Sequence, residues 1–361
     1  MNIDTEGIVN WPAYGIAQKE KEERFCSVMK ELTEYHRLHC AEYGKILEIL
    51  GYNREKVRKT ADIPMIPVSL FKKFSLASIE EKEIFKIVTS SGTTGQTTSK
   101  VILDSRTAAL QQKVLYQIIS SFIGTDRLPM LIFDCPSVLR DRAMFSARGA
   151  GILGFSIFST ERCFALDDDM KLDVPRIKAF LEKHKGKRIL VFGFTYMIWA
   201  NVCNVLRAAG ERLDIGNGYL IHGGGWKKLK DQAVSAEQFA EEVKSTCGIP
   251  KISSYYGMAE QTGTIYVECE YGHLHASSYS EIIFRNMRDF SVCECGQEGA
   301  VQVMSPIAGS YPGHSLLTED KGILLGSDDC PCGRKGKYFH ITGRMERAEI
   351  RGCSDVYGGT V

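Results

Sequence analysis

The strongest constraint on this chain is an alternation between residues 85 and 264. Short apolar runs at 85–88, 100–103, 130–133, 152–158, 188–192 and 218–221 are separated by helix-period stretches at 107–123, 174–184 and 233–247. Runs of this length bounded by turn residues read as strands. Strands alternating with helices build a sheet with helices packed on it. The expected fold class is therefore α/β, with 85–264 as its core. Residues 1–84 read as a helical N-terminal segment and connector. Over 18–50, Phe25, Val28, Met29, Leu32, Tyr35, His39, Tyr43, Ile46, Leu47 and Leu50 recur at three- and four-residue steps, which predicts one helix ended by Gly51. Residues 63–74 contain two prolines and predict an extended connector. Residues 265–361 lose the helical period and read as a small Cys-rich β subdomain of short strands and turns.

Composition narrows the function classes. Lys+Arg 45 against Asp+Glu 44 leaves a net charge of +1, which gives no basis for nucleic-acid or anionic-membrane binding. The most apolar stretch, ILVFGFTYMIWANVCNVL at 189–206, carries Gly193, Thr195, Asn201 and Asn204. It is short for a span and predicts a buried strand, a turn and a helix instead. The start, MNIDTEGIVNWPAYG, has no basic segment followed by an apolar one. With 12 cysteines, the expected location is then the reducing cytoplasm, where clustered cysteines signal metal or thiol chemistry.

Three motifs carry chemistry. TSSGTTGQTTSK at 89–100 follows the apolar run FKIV. Its glycines allow a tight turn that points N–H groups at an anion, its hydroxyls add donors, and Lys100 adds a point charge. It is not a Walker A loop. SSYYGMAEQTG at 253–263 follows a strand expected at 251–254. There Tyr256 is suited to stack on a base and Glu260 to hold Mg²⁺. HGGGWKK at 222–228 places three glycines after a strand, where backbone can approach a ligand closely.

These motifs, followed by Thr318-Glu319-Asp320 and Ile341-Thr342-Gly343-Arg344, resemble the adenylate-forming superfamily of acyl-CoA synthetases and related ligases. IPVSLFK (66–72), HGGGWKK, SYPGHSLLTED (310–320) and EIRGCSDVY (349–357) resemble the Lux-type acyl-protein synthetases of the bacterial fatty-acid reductase complex. The resemblance spans about 60–361. It implies ATP-dependent conversion of a long-chain fatty acid to acyl-AMP, acylation of the enzyme's own cysteine, and transfer to an acyl-protein reductase for aldehyde formation. An acyl-transferase is a further candidate partner, in a hetero-oligomer. It implies that Ser90, Ser91, Gly92, Thr93, Thr94 and Gly95 hold the β- and γ-phosphates, with Lys100 nearby. Gly224, Gly225 and Trp226 line the adenine side, and Tyr256 and Gly257 flank adenine. Glu260 binds Mg²⁺, Asp320 takes the ribose hydroxyls, and Arg344 sits near the ribose or the α-phosphate. Cys353 is the acyl acceptor. Arg347 and Arg351 are near it in sequence and suited to lower its pKa. Most adenylate-forming enzymes carry a further C-terminal domain with a catalytic lysine. This chain stops soon after Arg344, as the Lux-type family does.

The tail holds Cys269, His273, His275, Cys293, Cys295, Cys330 and Cys332. Tetrahedral zinc takes four N/S ligands. Cys269, His275, Cys330 and Cys332 make a Cys₃His set, and the CPCGR string (330–334), which resembles phenylacetate–CoA ligases, points to it. Cys293-Glu-Cys295 is a competing pair. The expected cofactors are ATP, Mg²⁺ and a structural Zn²⁺. The alternative function is a CoA ligase, or an enzyme adenylating an aryl or other small acid.

Overall fold

The strands Leu128–Phe133 and Ile189–Phe194 are buried at every residue, the pattern of parallel strands covered on both faces. A computed structural model of the chain describes residues 5–90, 98–139, 145–226, 232–261 and 263–345. Within these, the chain divides into two units. One comprises 123–139, 145–226 and 232–256. The other joins three separated stretches, 5–90, 98–122 and 257–345.

The first of these is α/β. Its parallel strands run Lys251–Tyr256, Gly218–Gly223, Ile189–Phe194, Leu128–Phe133, Ser159–Phe164 across the sheet. Numbered along the chain, that order is 5-4-3-1-2. A doubly wound sheet of this kind reverses direction between its first and third strands, and ligands bind outside the carboxyl ends there. The Val174–Lys183 and Ala236–Cys247 helices bury Ile177, Phe180, Phe239 and Val243 against Leu131, Phe133, Val191 and Leu220. Each such side chain contributes about 1.5–3 kcal/mol on leaving water. Asp173 caps the first helix by accepting from Arg176 N. A reciprocal Ser235–Gln238 capping box starts the second at Ala236, three residues later than the expected 233.

The stretch 189–206 is the expected strand and helix, but without the expected turn: the helix starts at Thr195 directly after the strand, carries a π turn at Trp199–Cys203 and ends at Gly210 (φ +64°). No helix among the described residues is long and apolar enough to cross a membrane. The expected strand at 152–158 is instead the end of the Ala147–Phe155 helix and a 3₁₀ turn, Ser156–Phe158. A seven-residue apolar run has no period that separates buried strand from buried helix. The Phe155 ring stacks on Phe192 at 4.3 Å, so the run is covered by a strand rather than paired with one.

The other unit holds an antiparallel sheet ordered Glu281–Arg285, Glu298–Met304, Ser315–Ser327, Lys337–Arg344, Leu274–His275, Tyr266–Glu268. Ser315–Ser327 runs 13 residues, longer than the short strands expected. Register shifts at Lys321/Gly322 and Leu324/Gly326 break its alternation, which hides its length in the sequence. Ile66–Pro67 adds to its edge beside Leu316 and Leu317, so the connector is extended there before the Leu70–Lys73 turn.

The single helix expected over 18–50 is two, Gln18–His39 and Ala41–Ile49, broken where Cys40 is extended. Gly44 permits the corner, since a Cβ there would lie 2.9 Å from Arg37 O. Both helices bury their apolar faces, so the period runs through the break. Gly51, at φ +63°, ends the second as expected.

Lys21 and Glu281 are each 1% exposed and meet at 3.3 Å. Lys21 Nζ also donates to Ser277 O (3.1 Å) and Ser280 O (2.5 Å). Lys337 reaches the other Glu281 oxygen at 3.1 Å. Burial alone would raise the Glu281 carboxyl, but Lys21 and Lys337 outweigh it and hold it down to about 2. Burial also pushes the His36 imidazole down to about 3.

Both shifts make acid destabilising. Glu281 contributes fully above its ordinary value of 4.5 and loses that contribution as pH falls towards 2. His36 takes a proton more readily when unfolded, so stability falls as pH drops from 6.5 towards 3. The urea midpoint is expected to decline continuously from pH 7 to pH 3. Lys21→Met is expected to cost about 3 kcal/mol at pH 7 by breaking a buried pair from one side. An unchanged midpoint in that variant would mean that Lys337 alone satisfies Glu281.

Candidate functional site

A tight turn follows the Tyr266–Glu268 strand. Cys269 N donates to His273 O (2.9 Å) and Gly272 N to Cys269 O (3.0 Å). Leu274 and His275 then pair with Phe339 and Tyr338. Cys330 and Cys332 lie in a second turn after Ser327, closed by Gly333 N donating to Cys330 O (2.9 Å). The sheet thus carries two pairs of ligand-type residues, 61 positions apart at their first members, to one place. Ligand atoms of Cys269, His275, Cys330 and Cys332 all lie within 4.8 Å of one another.

This set fits zinc. Tetrahedral Zn–S and Zn–N bonds imply S···S edges of about 3.8 Å and S···N edges of about 3.6 Å. Cys269 Sγ and Cys330 Sγ are 4.0 Å apart, and Cys332 Sγ and His275 Nε2 are 3.4 Å apart. The sulfurs are far outside disulfide distance. Burial pushes the Cys330 thiol up to about 12 and the His275 imidazole down to about 4. A bound dication would favour the thiolates while using the imidazole in its neutral form. Arg334 stands beside the cluster, its guanidinium 4.0 Å from the Phe122 ring centroid and ion-paired to Glu270 at 3.3 Å. His273 Nδ1 meets Cys330 Sγ at 3.3 Å, but His273 is not one of the four. The competing pair bonds elsewhere, Cys293 to Glu298 O and Cys295 to Leu324 O.

The residues assigned to nucleotide binding are divided between the units. In the unit with the antiparallel sheet, Lys86–Thr89 and Lys100–Leu103 form a hairpin with Thr89 opposite Lys100. Ser90 N donates to Ser99 O (3.1 Å) and Ser99 N to Ser90 Oγ (2.9 Å), which pinches the base of the Gly-rich loop. Lys100 is exposed at its rim. Ser91, Gly92, Thr93, Thr94, Gly95 and Cys353 lie outside the described residues. Asp320 and Arg344, 24 positions apart, pair across adjacent strands. Arg344 Nε is 3.4 Å from Asp320 Oδ1, and Arg344 Nη2 donates to Glu319 Oε2 at 2.8 Å. Gly257 precedes the short Ala259–Gln261 turn that holds Glu260, which is 3% exposed.

In the α/β unit, Gly224 has φ +76°, and a Cβ on Gly223 would overlap the Tyr255 ring. Thr195 Oγ1 donates to Gly224 O (2.9 Å) and lies 2.9 Å from His222 Nδ1. Gly225 has open space around it. Trp226 packs edge-on against Trp199 (5.4 Å) and Phe239 (6.3 Å). Tyr256 is half-buried at the end of Lys251–Tyr256.

One constellation escaped sequence reasoning. Asp134 follows the Leu128–Phe133 strand at the reversal of strand order and is fully buried. Arg148 binds it bidentately, at 2.7 and 2.5 Å. The signal was an acidic residue directly after a fully apolar strand.

The family model for acyl-protein synthetase, LuxE, matches residues 6–360. The chain belongs to the LuxE acyl-protein synthetase family. A long-chain-fatty-acid–luciferin-component ligase of Vibrio harveyi is 23% identical over 345 residues, 93% of this synthetase and 88% of that protein. A 2-hydroxyisobutyryl-CoA ligase in complex with 2-HIB-AMP and CoA aligns with a TM-score of 0.71 at 14% identity, over 92% of this chain and 77% of that one. A long-chain-fatty-acid-CoA ligase of Archaeoglobus fulgidus aligns with a TM-score of 0.50 at 15% identity, over 73% and 52%. The synthetase therefore has the fold of adenylate-forming ligases, as the motifs implied.

Metal analysis of the isolated synthetase is expected to find one zinc per chain. Cys330→Ser is expected to lose it and lower the thermal midpoint, by about 2–4 °C for each kcal/mol lost. Cys295→Ser, outside the four, is expected to retain it. Full zinc content in Cys330→Ser would remove this set as the site.

Proposed function

We propose that this chain activates a long-chain fatty acid with ATP, carries the acyl group on Cys353, and passes it to a partner reductase that forms the aldehyde. One observation carries the reading. The family match over 6–360 takes in every adenylation motif and the segment around Cys353. The name of the Vibrio harveyi relative supports the acid class.

In the first step a carboxylate oxygen of the acid attacks the α-phosphorus of ATP. The bond to the β-phosphate breaks, pyrophosphate leaves, and the carboxyl becomes a mixed anhydride with AMP. This displacement needs positioned donors and cations more than covalent help. Ser90, Ser91, Gly92, Thr93, Thr94 and Gly95 hold the β- and γ-phosphates, and Lys100 adds a charge beside them. Glu260 would hold Mg²⁺, which would supply charge neutralisation for the phosphates. Asp320 accepts from the ribose hydroxyls. Arg344, tethered by Asp320 and Glu319, faces the ribose or α-phosphate with little rotamer freedom left to lose. Gly224, Gly225, Trp226, Tyr256 and Gly257 form the adenine side.

In the second step the Cys353 thiolate attacks the acyl carbonyl carbon, the bond to AMP breaks, and AMP leaves. A thiol of the partner then attacks the thioester and returns Cys353 as thiolate. Zinc held by Cys269, His275, Cys330 and Cys332 would be structural, since four protein ligands would leave no open coordination position.

The test incubates the protein with ATP, Mg²⁺ and labelled tetradecanoate. Cys353→Ser is expected to form acyl-AMP at the wild-type rate and to lose hydroxylamine-sensitive protein labelling. Glu260→Gln is expected to lower acid-dependent pyrophosphate exchange on the order of 10²-fold. Unchanged labelling in Cys353→Ser removes that residue from the mechanism. AMP release that requires CoA and an aryl acid, without self-acylation, would replace this reading with a CoA ligase.

A further inference from the structure

The loop 305–314 connects three structures that the mechanism treats separately. It is almost wholly buried. At its far end, Tyr311 Oη donates to Glu260 O at 2.9 Å. Gln261 Nε2 donates back to Gly313 O (2.9 Å) and to Val303 O (3.1 Å). A Cβ on Gly313 would overlap the Tyr311 ring and lie 2.9 Å from Glu260 O, so the approach is close enough to require glycine. In its middle, Ser310 Oγ donates to Ile102 O (2.9 Å), on the strand that begins with Lys100. Ser310 O accepts from Ser78 N (2.8 Å).

The loop is itself anchored by a buried pair of histidines. His36 Nε2 lies 2.9 Å from Ala308 O, which only accepts, so that nitrogen carries the proton. His36 Nδ1 then accepts from Ser78 Oγ at 2.7 Å. Thr33 Oγ1 donates to Met29 O, which leaves it to accept from His314 Nε2 at 3.0 Å. The two imidazoles stack at 4.9 Å. Side chains of the Gln18–His39 helix therefore hold the loop at Ala308 and at His314, and the loop holds the Glu260 turn.

We propose that Tyr311 and Gln261 are positioning residues for metal-dependent adenylation, holding the Glu260 backbone so that its carboxylate meets Mg²⁺. The proposal rests on the reading of Glu260 as the Mg²⁺ ligand. Glu260 sits in a turn of three residues, too short to be fixed by its own ladder. Its carbonyl and its neighbour's amide are instead tied to a loop that is anchored elsewhere. Tyr311 touches no reacting atom. Its effect is on the position of a ligand, so it falls on the metal requirement and not on acid binding.

The test is acid-dependent pyrophosphate exchange at varied free Mg²⁺, at saturating ATP and tetradecanoate. Tyr311→Phe removes one hydroxyl and keeps the ring. It is expected to raise the half-saturating Mg²⁺ about five- to tenfold, the worth of one buried hydrogen bond, with the KM for tetradecanoate unchanged. Glu260→Gln is expected to raise it further, and the double variant to add nothing to Glu260→Gln. An unchanged Mg²⁺ midpoint in Tyr311→Phe, or full additivity in the double variant, overturns the proposal. If Glu260→Gln leaves the Mg²⁺ midpoint unchanged, the reading of Glu260 fails. A shift in Glu260→Gln without one in Tyr311→Phe defeats only the positioning role. Should Tyr311→Phe not fold, Gln261→Met removes both amide bonds without touching the ring. It must then show the Mg²⁺ shift, or the proposal falls.

Discussion

A carboxylate without water governs the unit that carries the antiparallel sheet. Glu281 is 1% exposed, and burial by itself pushes its carboxyl towards the neutral form. Lys21 from the N-terminal helix and Lys337 from a sheet strand keep it charged. The unit is assembled from three stretches separated in sequence, so its first, ending at Ser90, and its last, beginning at Gly257, must find each other across the 166 residues between them. An ion pair of this kind adds less net stability than an apolar contact of the same size. It adds discrimination, because a docking that separates Lys21 from Glu281 removes one of the two cations on that carboxylate. Neighbouring contacts follow the same path. Tyr279 donates to Trp11 O, Ser278 donates to Pro12 O, and Gln18 N reaches Asp328. Tyr14 is brought edge-on to His275 at 6.1 Å, so the N-terminal segment also covers the cysteine–histidine cluster.

The α/β unit is specified by apolar volume instead. Its central strands are buried on both faces, and their order follows from covering them with helices. The Phe155, Phe192 and Tyr255 rings stack in series, at 4.3 Å and 6.4 Å between centroids. Tyr255 then leaves no room for a Cβ on Gly223, and the chain passes into the glycine turn at the strand's carboxyl end. A packing requirement thus explains one glycine of HGGGWKK. The left-handed φ of Gly224 explains a second.

What the sequence revealed and what it hid divide along a physical line. Local signals were sufficient for Lys100–Leu103, for the Ser105–Ile123 and Val174–Lys183 helices to within two residues, and for the glycine stop at 51. For the ligand-type residues the pattern alone left Cys293 and Cys295 in competition, and it was the resemblance that pointed to the four that lie together. Long-range registry was not legible. Nothing local sets Asp320 beside Arg344, or Arg148 on Asp134, because those contacts depend on strand order. The break at Cys40 was hidden for the opposite reason. Two helices burying the same kind of face continue one period, and only the close approach of Gly44 to Arg37 O separates them. The 305–314 loop had no period at all, and its role emerges only from where its hydrogen bonds end.

Two of the four cluster residues, Cys330 and Cys332, and the Asp320–Arg344 pair belong to one hairpin, Ser315–Ser327 with Lys337–Arg344. Its turn end pairs Ser327 with Lys337 and carries Cys330 and Cys332. Its open end pairs Asp320 with Arg344. The two ends are about 23 Å apart along the strand. Two register shifts lie between them, so the ladder alone specifies alignment weakly. A slip of one residue would turn Arg344 to the opposite face from Asp320. Ligands drawn from both the hairpin turn and the adjacent 269–275 turn admit one alignment only. With zinc on the four residues, as proposed, the closed tetrahedron acts at a distance from the chemistry. It would fix the register that puts the Arg344 guanidinium and the Asp320 carboxylate side by side, the pair we propose for the ribose and phosphate of ATP.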